Sequence, residues 1–147
     1  MDEFEEAVQK NELEPKKLFI DVYTDWCGWC KKMDASTFKD PKVIQEMNDN
    51  FYAVKLDAEQ KEDIIFKGRT FKFIDQGRRG YHELAAALLN NKMSYPSFVL
   101  MSEEMEVIQP LPGYKSAEDL TPILSFIGDD HFRNTDWTTY LKEYQAN

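Results

Sequence analysis

Apolar positions recur along this chain with two different periods, and the changes of period mark out its elements. Phe4, Ala7 and Val8 fall at helical spacing with acidic residues between them, predicting a short helix that ends before Pro15. Leu18-Phe19-Ile20 and Val22-Tyr23 then form a nearly continuous apolar run, the pattern of a strand covered on both faces. The run stops at Thr24-Asp25, where a helix can start and continue through Met33 toward Phe38. Asp40-Pro41 reads as an N-cap followed by proline at the first helical position, opening a helix through Val43, Ile44 and Met47 to about Asn50. Phe51 to Asp57 returns as a strand. Strand, helix and strand of these lengths make a βαβ unit, so the two strands are expected to be parallel.

Beyond Asp57, the runs Ile64 to Lys67 and Thr70 to Ile74 flank Gly68-Arg69, predicting a β-hairpin with a two-residue turn there. Gly77 and Gly80 break the chain, and Tyr81 to Asn90 reads as a helix burying Leu84, Ala85, Leu88 and Leu89. Phe98 to Met101 and Glu106 to Gln109 are expected to pair antiparallel across Ser102 to Met105. Ser116 caps a helix through Leu120, Ile123, Leu124 and Ile127, with Glu118 and Asp119 favoured by its dipole. Pro122 conflicts with that start and argues for moving it to Leu120. Asp129, Asp130 and His131 read as a solvated linker. Trp137, Tyr140, Leu141 and Tyr144 then form the stripe of a last helix, started by Thr135 or Asp136 and expected to cover the protein's own core.

With 147 residues, 42% of them hydrophobic, the chain is read as one domain, residues 1–147, with a core of its own. A net charge of −9 argues against nucleic acid or an anionic membrane as partner, because both demand a basic face. The charge is uneven: Lys61 to Arg79 carries six basic residues against three acids, so that segment is +3 and the remainder −12. A basic edge on an acidic protein fits an acidic partner, and equally serves to keep an exposed hairpin from pairing edge to edge. The acidic start Met1-Asp2-Glu3 is unlike a signal peptide, so the sequence as written predicts a cytosolic chain; a mature exported protein would read the same way.

The chemistry concentrates at Leu18 to Met33. The two cysteines, Cys27 and Cys30, are separated by Gly28 and Trp29, so in a helix beginning near Cys27 they lie one turn apart and can close a disulfide. At a helix N-terminus the Cys27 thiolate would be stabilised and Cys30 would resolve, one turn in and more deeply buried. Three other readings compete. A structural disulfide over so short a loop would constrain the unfolded chain by only about 2 kcal/mol. A zinc site would need four ligands, and beyond this pair only His82 and His131 remain, at no usual ligand spacing. Inert buried thiols are poorly served by a strand-to-helix turn carrying glycine and two tryptophans. Asp21 is the second signal, a carboxylate within a run that is otherwise apolar: it must reach solvent, find a cation, or hold its proton to high pH.

These residues resemble the thioredoxin superfamily. The motif YTDWCGWCKKM has an aspartate six positions before the first cysteine, Asp21, and a tryptophan directly before it, Trp26. Lys55 in Tyr52 to Asp57 fits the lysine of the next parallel strand, and Tyr95-Pro96-Ser97-Phe98 fits the proline opposite the dithiol. Trp29 departs from the pattern, standing where thioredoxin has proline, and such residues tune the potential. The string is similar to thioredoxin-like proteins common in Bacteroidetes-type bacteria, and the likeness runs from about Phe4 to about Gly128.

The resemblance implies an α/β thioredoxin fold, a mixed central sheet flanked by helices, here with an inserted hairpin at 58–80 and a helical extension at 129–147. It implies a thiol–disulfide oxidoreductase that reduces protein disulfides through Cys27 and Cys30, with Asp21 as proton acceptor and Lys55 biasing its charge. Trp26, Gly28, Trp29, Tyr95, Pro96 and Gly113 would line the substrate groove, with Pro96 cis. It implies a disulfide-containing protein substrate, an upstream thiol electron donor, a monomer, a periplasmic location, and neither cofactor nor metal. A binding module that uses the groove, the hairpin and the aromatic tail, with the dithiol vestigial, remains the alternative.

Overall fold

The computed structural model describes residues 1–77 and 79–146. Arg78, one of the basic residues counted in the insertion, and Asn147, the end of the extension, lie outside the described residues. Four strands form the central sheet: β1 (Lys17–Tyr23), β2 (Phe51–Asp57), β7 (Ser97–Met101) and β8 (Val107–Pro112), in the order β2-β1-β7-β8. β1 and β2 run parallel with Asp21 opposite Lys55, as the βαβ pattern requires, while β7 runs antiparallel to β1 and β8 antiparallel to β7. β8 is an edge strand, which is where Pro110 and Pro112 cost the ladder least. The other edge, β2, is met by Asp2, whose backbone bonds to Ala53 and Lys55.

Side-chain parity along β1 divides the core in two. Leu18, Ile20 and Val22 face a cluster with Phe4 and Ala7 of α1 (Phe4–Leu13) and Leu84, Ala85 and Leu88 of α4 (Glu83–Leu88). Phe19 faces the opposite cluster, with Met33 of α2 (Gly28–Ala35), Val43 and Met47 of α3 (Pro41–Asn50), and Leu120 and Leu124 of α5 (Ala117–Gly128). Phe19 stacks on Phe98 there at 5.3 Å between centroids. Asp21 shares the parity of Phe19, and Lys55 on β2 that of Phe51 and Ala53, so both point to the α2 side of the sheet.

Local signals set the helix starts. Asp40 Oδ1 accepts from the N–H groups of Lys42 and Val43, and Ser116 Oγ from that of Asp119 at 3.1 Å. The helix α5 therefore begins at Ala117, and Pro122 does not move its start to Leu120: capping by Ser116 and burial of Leu120 and Leu124 outweigh one lost ladder bond. The helix α2 ends at Ala35, and a 3-10 turn over Thr37–Lys39 takes up the stretch toward Phe38.

The segment expected to be an inserted hairpin forms two ribbons instead of one. β3 (Ile64–Phe66) pairs with β4 (Arg69–Phe71), and β5 (Phe73–Ile74) pairs with β6 (Tyr81–His82). The turn is Lys67-Gly68, with φ of 52° and 75°, one residue earlier than Gly68-Arg69. The reason is burial: this register sets Ile64 opposite Phe71, and both are core residues. The following helix starts at Glu83, because His82 is its N-cap, with Nδ1 accepting from the Leu84 N–H.

In the C-terminal extension Asp130 is not simply solvated. Its carboxylate lies 2.9 Å from Nζ of Lys17, a buried lysine that also meets Glu103 at 2.9 Å. Burial works against the Lys17 charge, but these two carboxylates outweigh it and raise its pKa. A 3-10 turn over His131–Arg133 leads to α6 (Trp137–Ala146), whose Trp137 and Tyr140 pack on Phe126 at 5.3 and 5.1 Å. The aromatic stripe thus covers the core of its own chain.

Candidate active site

Cys27 and Cys30 lie where β1 passes into α2. They are joined in a disulfide, with Cα atoms 5.3 Å apart. Cys27 is the N-cap of α2, and its Sγ accepts a hydrogen bond from the Cys30 N–H at 3.1 Å. The same N–H groups and the helix dipole favour negative charge on that sulfur once the disulfide opens. Cys30 is not appreciably deeper than Cys27: they are 3% and 5% exposed. Position at the cap, not depth, distinguishes them.

Asp21 is 2% exposed, which rules out a strand-end carboxylate touching water. Its Oδ2 lies 3.5 Å from Lys55 Nζ, and its Oδ1 is buried without a hydrogen-bond partner among the described residues. Burial raises its pKa to about 6, with Lys55 opposing and Asp34 adding to the rise. Lys55 Nζ is closer to Asp34 Oδ2, at 2.7 Å, and lies 4.5 Å from the Tyr23 ring centroid. One lysine therefore joins the sheet carboxylate to a carboxylate of the dithiol helix. Sequence reasoning missed Asp34, although it falls four residues after Cys30, on the same helix face.

Two aromatic pairs flank the disulfide. Trp26 sets its ring edge-on to Tyr95 at 5.8 Å and donates Nε1–H to Glu59 at 3.0 Å. Trp29 packs on Tyr114 at 5.3 Å, with Lys32 Nζ 4.9 Å from the Trp29 centroid. Both tryptophans are half exposed. The Tyr95–Pro96 peptide bond is cis, and the Pro96 carbonyl accepts from the Gly113 N–H at 2.8 Å. Gly113 has φ of +92°, a conformation that glycine adopts without strain. Gly28 is the first residue of α2, and a Cβ there would meet nothing within 4 Å. Of the residues expected to line the groove, Trp26 thus touches Tyr95, and Pro96 touches Gly113, while Trp29 packs with Tyr114 instead. Glu59, Arg79 and Tyr114 reach the site from distant segments and carry no local sequence signal. Among the described residues no group of three or more His, Cys, Asp or Glu is placed to hold a metal ion.

A parallel βα start carrying a disulfide at the helix N-cap, with a cis-proline before β7 whose neighbour Tyr95 meets Trp26, defines the thioredoxin-fold class. The chain belongs to the thioredoxin-like domain family, whose profile matches residues 4–128. Among solved structures it is similar to a thioredoxin-fold protein from Helicobacter pylori, with a TM-score of 0.65 and 18% identity over 90% of this chain and 81% of that one. It is also similar to a candidate disulphide isomerase from Bacteroides thetaiotaomicron, with a TM-score of 0.59 and 27% identity over 84% and 86%. Among curated proteins, thiol:disulfide interchange protein DsbD of Campylobacter jejuni is 30% identical over 116 residues, covering 73% of this chain and 18% of DsbD. The chain spans between 6% and 18% of the length of the curated relatives it matches.

Proposed function

We propose that the protein is a thiol–disulfide oxidoreductase that reduces disulfides in protein substrates. The observation that carries this reading is the Cys27–Cys30 disulfide at the N-cap of α2, with the Cys30 N–H directed at Cys27 Sγ. In the dithiol form the Cys27 thiolate attacks one sulfur of the substrate disulfide. A Cys27–substrate S–S bond forms, the substrate bond breaks, and the other substrate sulfur leaves as thiolate. Cys30 then loses its proton toward the Asp21 carboxylate and attacks Cys27 Sγ, closing the Cys27–Cys30 disulfide and releasing the second substrate sulfur. Two electrons pass from the protein to the substrate, and an upstream thiol donor restores the dithiol.

Asp21 suits the acceptor role because its pKa of about 6 lets it exchange a proton near neutral pH, and Lys55 holds the ionised form available. Trp26, Trp29, Tyr95, Pro96 and Gly113 serve as the surface on which the substrate segment lies, in this reading, with Gly28 at its centre. A periplasmic location and a monomeric state come with the family resemblance and belong to the same proposal; no described helix is long and apolar enough to cross a membrane.

The test is reduction of insulin disulfides by the reduced protein. Cys27→Ser is expected to abolish turnover, and Cys30→Ser to accumulate a mixed disulfide visible on a non-reducing gel. A reduction potential near about −270 mV supports the reducing direction, whereas one near about −120 mV would reverse it. Full biological activity of a variant lacking both cysteines would replace the enzyme with a binding module.

A further inference from the structure

The basic insertion has an unusual way of holding its cations. Between Lys61 and Arg79, among the described residues, only Lys72 meets a carboxylate, Asp63 at 2.9 Å. Lys61, Lys67, Arg69 and Arg79 lie instead over the rings of Phe73, Phe66, Phe71 and Trp26. None of the four has an ion-pair partner among the described residues, on a chain with 27 acidic side chains. These four cations are therefore left without a carboxylate partner among the described residues.

Arg79 is the one of these four that meets the residue beside the dithiol. Its guanidinium lies 4.1 Å from the centroid of Trp26, the residue preceding Cys27. Trp26 is itself fixed by the Glu59 hydrogen bond and the edge of Tyr95. Beside these residues a groove of about 560 Å³ runs over Ala86 and Met93. A guanidinium held over an indole by a cation–π contact keeps N–H donors that a planar, two-oxygen acceptor can bind. Glu59, the one acid among the described residues lining the groove, is turned to the Trp26 Nε1. The groove is thus polar in one sense, with a committed acid at one end of Trp26 and an uncommitted base over its face.

We propose that Arg79 forms a specificity subsite for substrates carrying an aspartate or glutamate close to the target cysteine. The proposal rests on the oxidoreductase reading and names its substrate class. An extended segment advances about 3.3 Å per residue, so an acidic side chain within about three positions of a cysteine held at Cys27 is in range of Arg79. The rest of the insertion adds an attractive field for an acidic surface around that residue, against the repulsion of the remaining chain.

The test uses three peptides identical except for Glu, Gln or Lys two residues from a single cysteine. Binding of their serine-for-cysteine forms to the full oxidised chain is followed by tryptophan fluorescence, and exchange of their disulfide-linked forms by the reduced protein is timed separately. The Glu peptide is expected to bind about fivefold more tightly than the Gln peptide, as for a partly exposed charged hydrogen bond. That ratio should fall to about one in Arg79→Gln, stay above one in Arg79→Lys, and invert toward the Lys peptide in Arg79→Glu. It should also shrink as salt is raised from about 0.1 M to about 1 M, where the Debye length contracts from about 10 Å to about 3 Å. Equal binding of the Glu and Gln peptides, or an unchanged ratio in Arg79→Gln, would overturn the subsite. A binding order that holds while no peptide is reduced would leave the subsite standing and remove the oxidoreductase reading.

Discussion

Replacing Asp21 with asparagine should stabilise the protein at neutral pH, and by an amount that depends on pH in a defined way. The carboxyl is 2% exposed, and burial raises its pKa from 3.8 to about 6 despite Lys55. The folded protein thus holds the Asp21 proton more tightly than the unfolded chain does. Well below pH 3.8 both states are protonated and the carboxyl costs nothing. Between about pH 4 and about pH 6 the unfolded chain ionises first, so stability falls as pH rises, and above that window the full penalty remains. The displacement from 3.8 to about 6 corresponds to about 3 kcal/mol. The asparagine side chain is neutral at every pH, nearly isosteric, and leaves Lys55 paired with Asp34 at 2.7 Å. Urea denaturation of the oxidised wild type and Asp21→Asn, at intervals from about pH 3 to about pH 8, should show curves that converge toward the acid end. They should diverge to about 3 kcal/mol above about pH 7, a midpoint shift of more than about 1 M. A difference independent of pH, or a destabilised variant at pH 7.5, would refute the reasoning. The same variant should resolve mixed disulfides more slowly, because the proposed proton acceptor is gone.

Asp34→Asn removes the second carboxylate acting on Asp21 and frees Lys55 for it, so the Asp21 pKa should fall below about 6 and the pH window of lost stability should narrow from its upper end; the same denaturation series reads this out. Gly113→Ala places a Cβ on a residue at φ of +92°, with no clash to compound the strain, and should lower stability by about 1 kcal/mol in thermal denaturation. Tyr140→Phe removes a buried hydroxyl 2.7 Å from Ser125 Oγ; because Ser125 keeps Asp129 as a partner at 3.2 Å, the expected cost is only about 1 kcal/mol, and a loss above about 3 kcal/mol would mean that the C-terminal helix is held in another way.

Features written into neighbouring residues were legible before the structure. The double-faced strand β1, the Asp40-Pro41 start of α3 and the stripe of α6 each follow from spacing within a few residues, and each is where the pattern puts it. What failed were choices decided at a distance. Local spacing puts the hairpin turn at Gly68-Arg69, whereas the joint burial of Ile64 and Phe71 selects Lys67-Gly68. Asp130 reads as linker because its partner Lys17 is 113 positions away, at the start of a strand that apart from Asp21 reads as apolar. Glu59 and Arg79 share this invisibility, since both come to Trp26 through the folding of the insertion.

The contrast between Lys17 and Asp21 shows why a buried charge does not by itself mark a functional site. Lys17 is as deeply buried as Asp21, but it is met by two carboxylates at 2.9 Å, and its partners remain partly hydrated, so its charge is retained and even favoured. Asp21 has one cation, at 3.5 Å, which a second carboxylate holds more closely, and one oxygen with no partner among the described residues. Stability alone would not select that arrangement: a neutral side chain of the same shape, on the face that also takes Phe19, would avoid the penalty. A carboxyl left short of partners is one whose proton can be exchanged near neutral pH, and it sits in the sheet facing the helix that carries the disulfide. In the proposed mechanism, what costs the fold about 3 kcal/mol is the same property by which Asp21 would take the Cys30 proton, so the variant that relieves the cost should also slow the step.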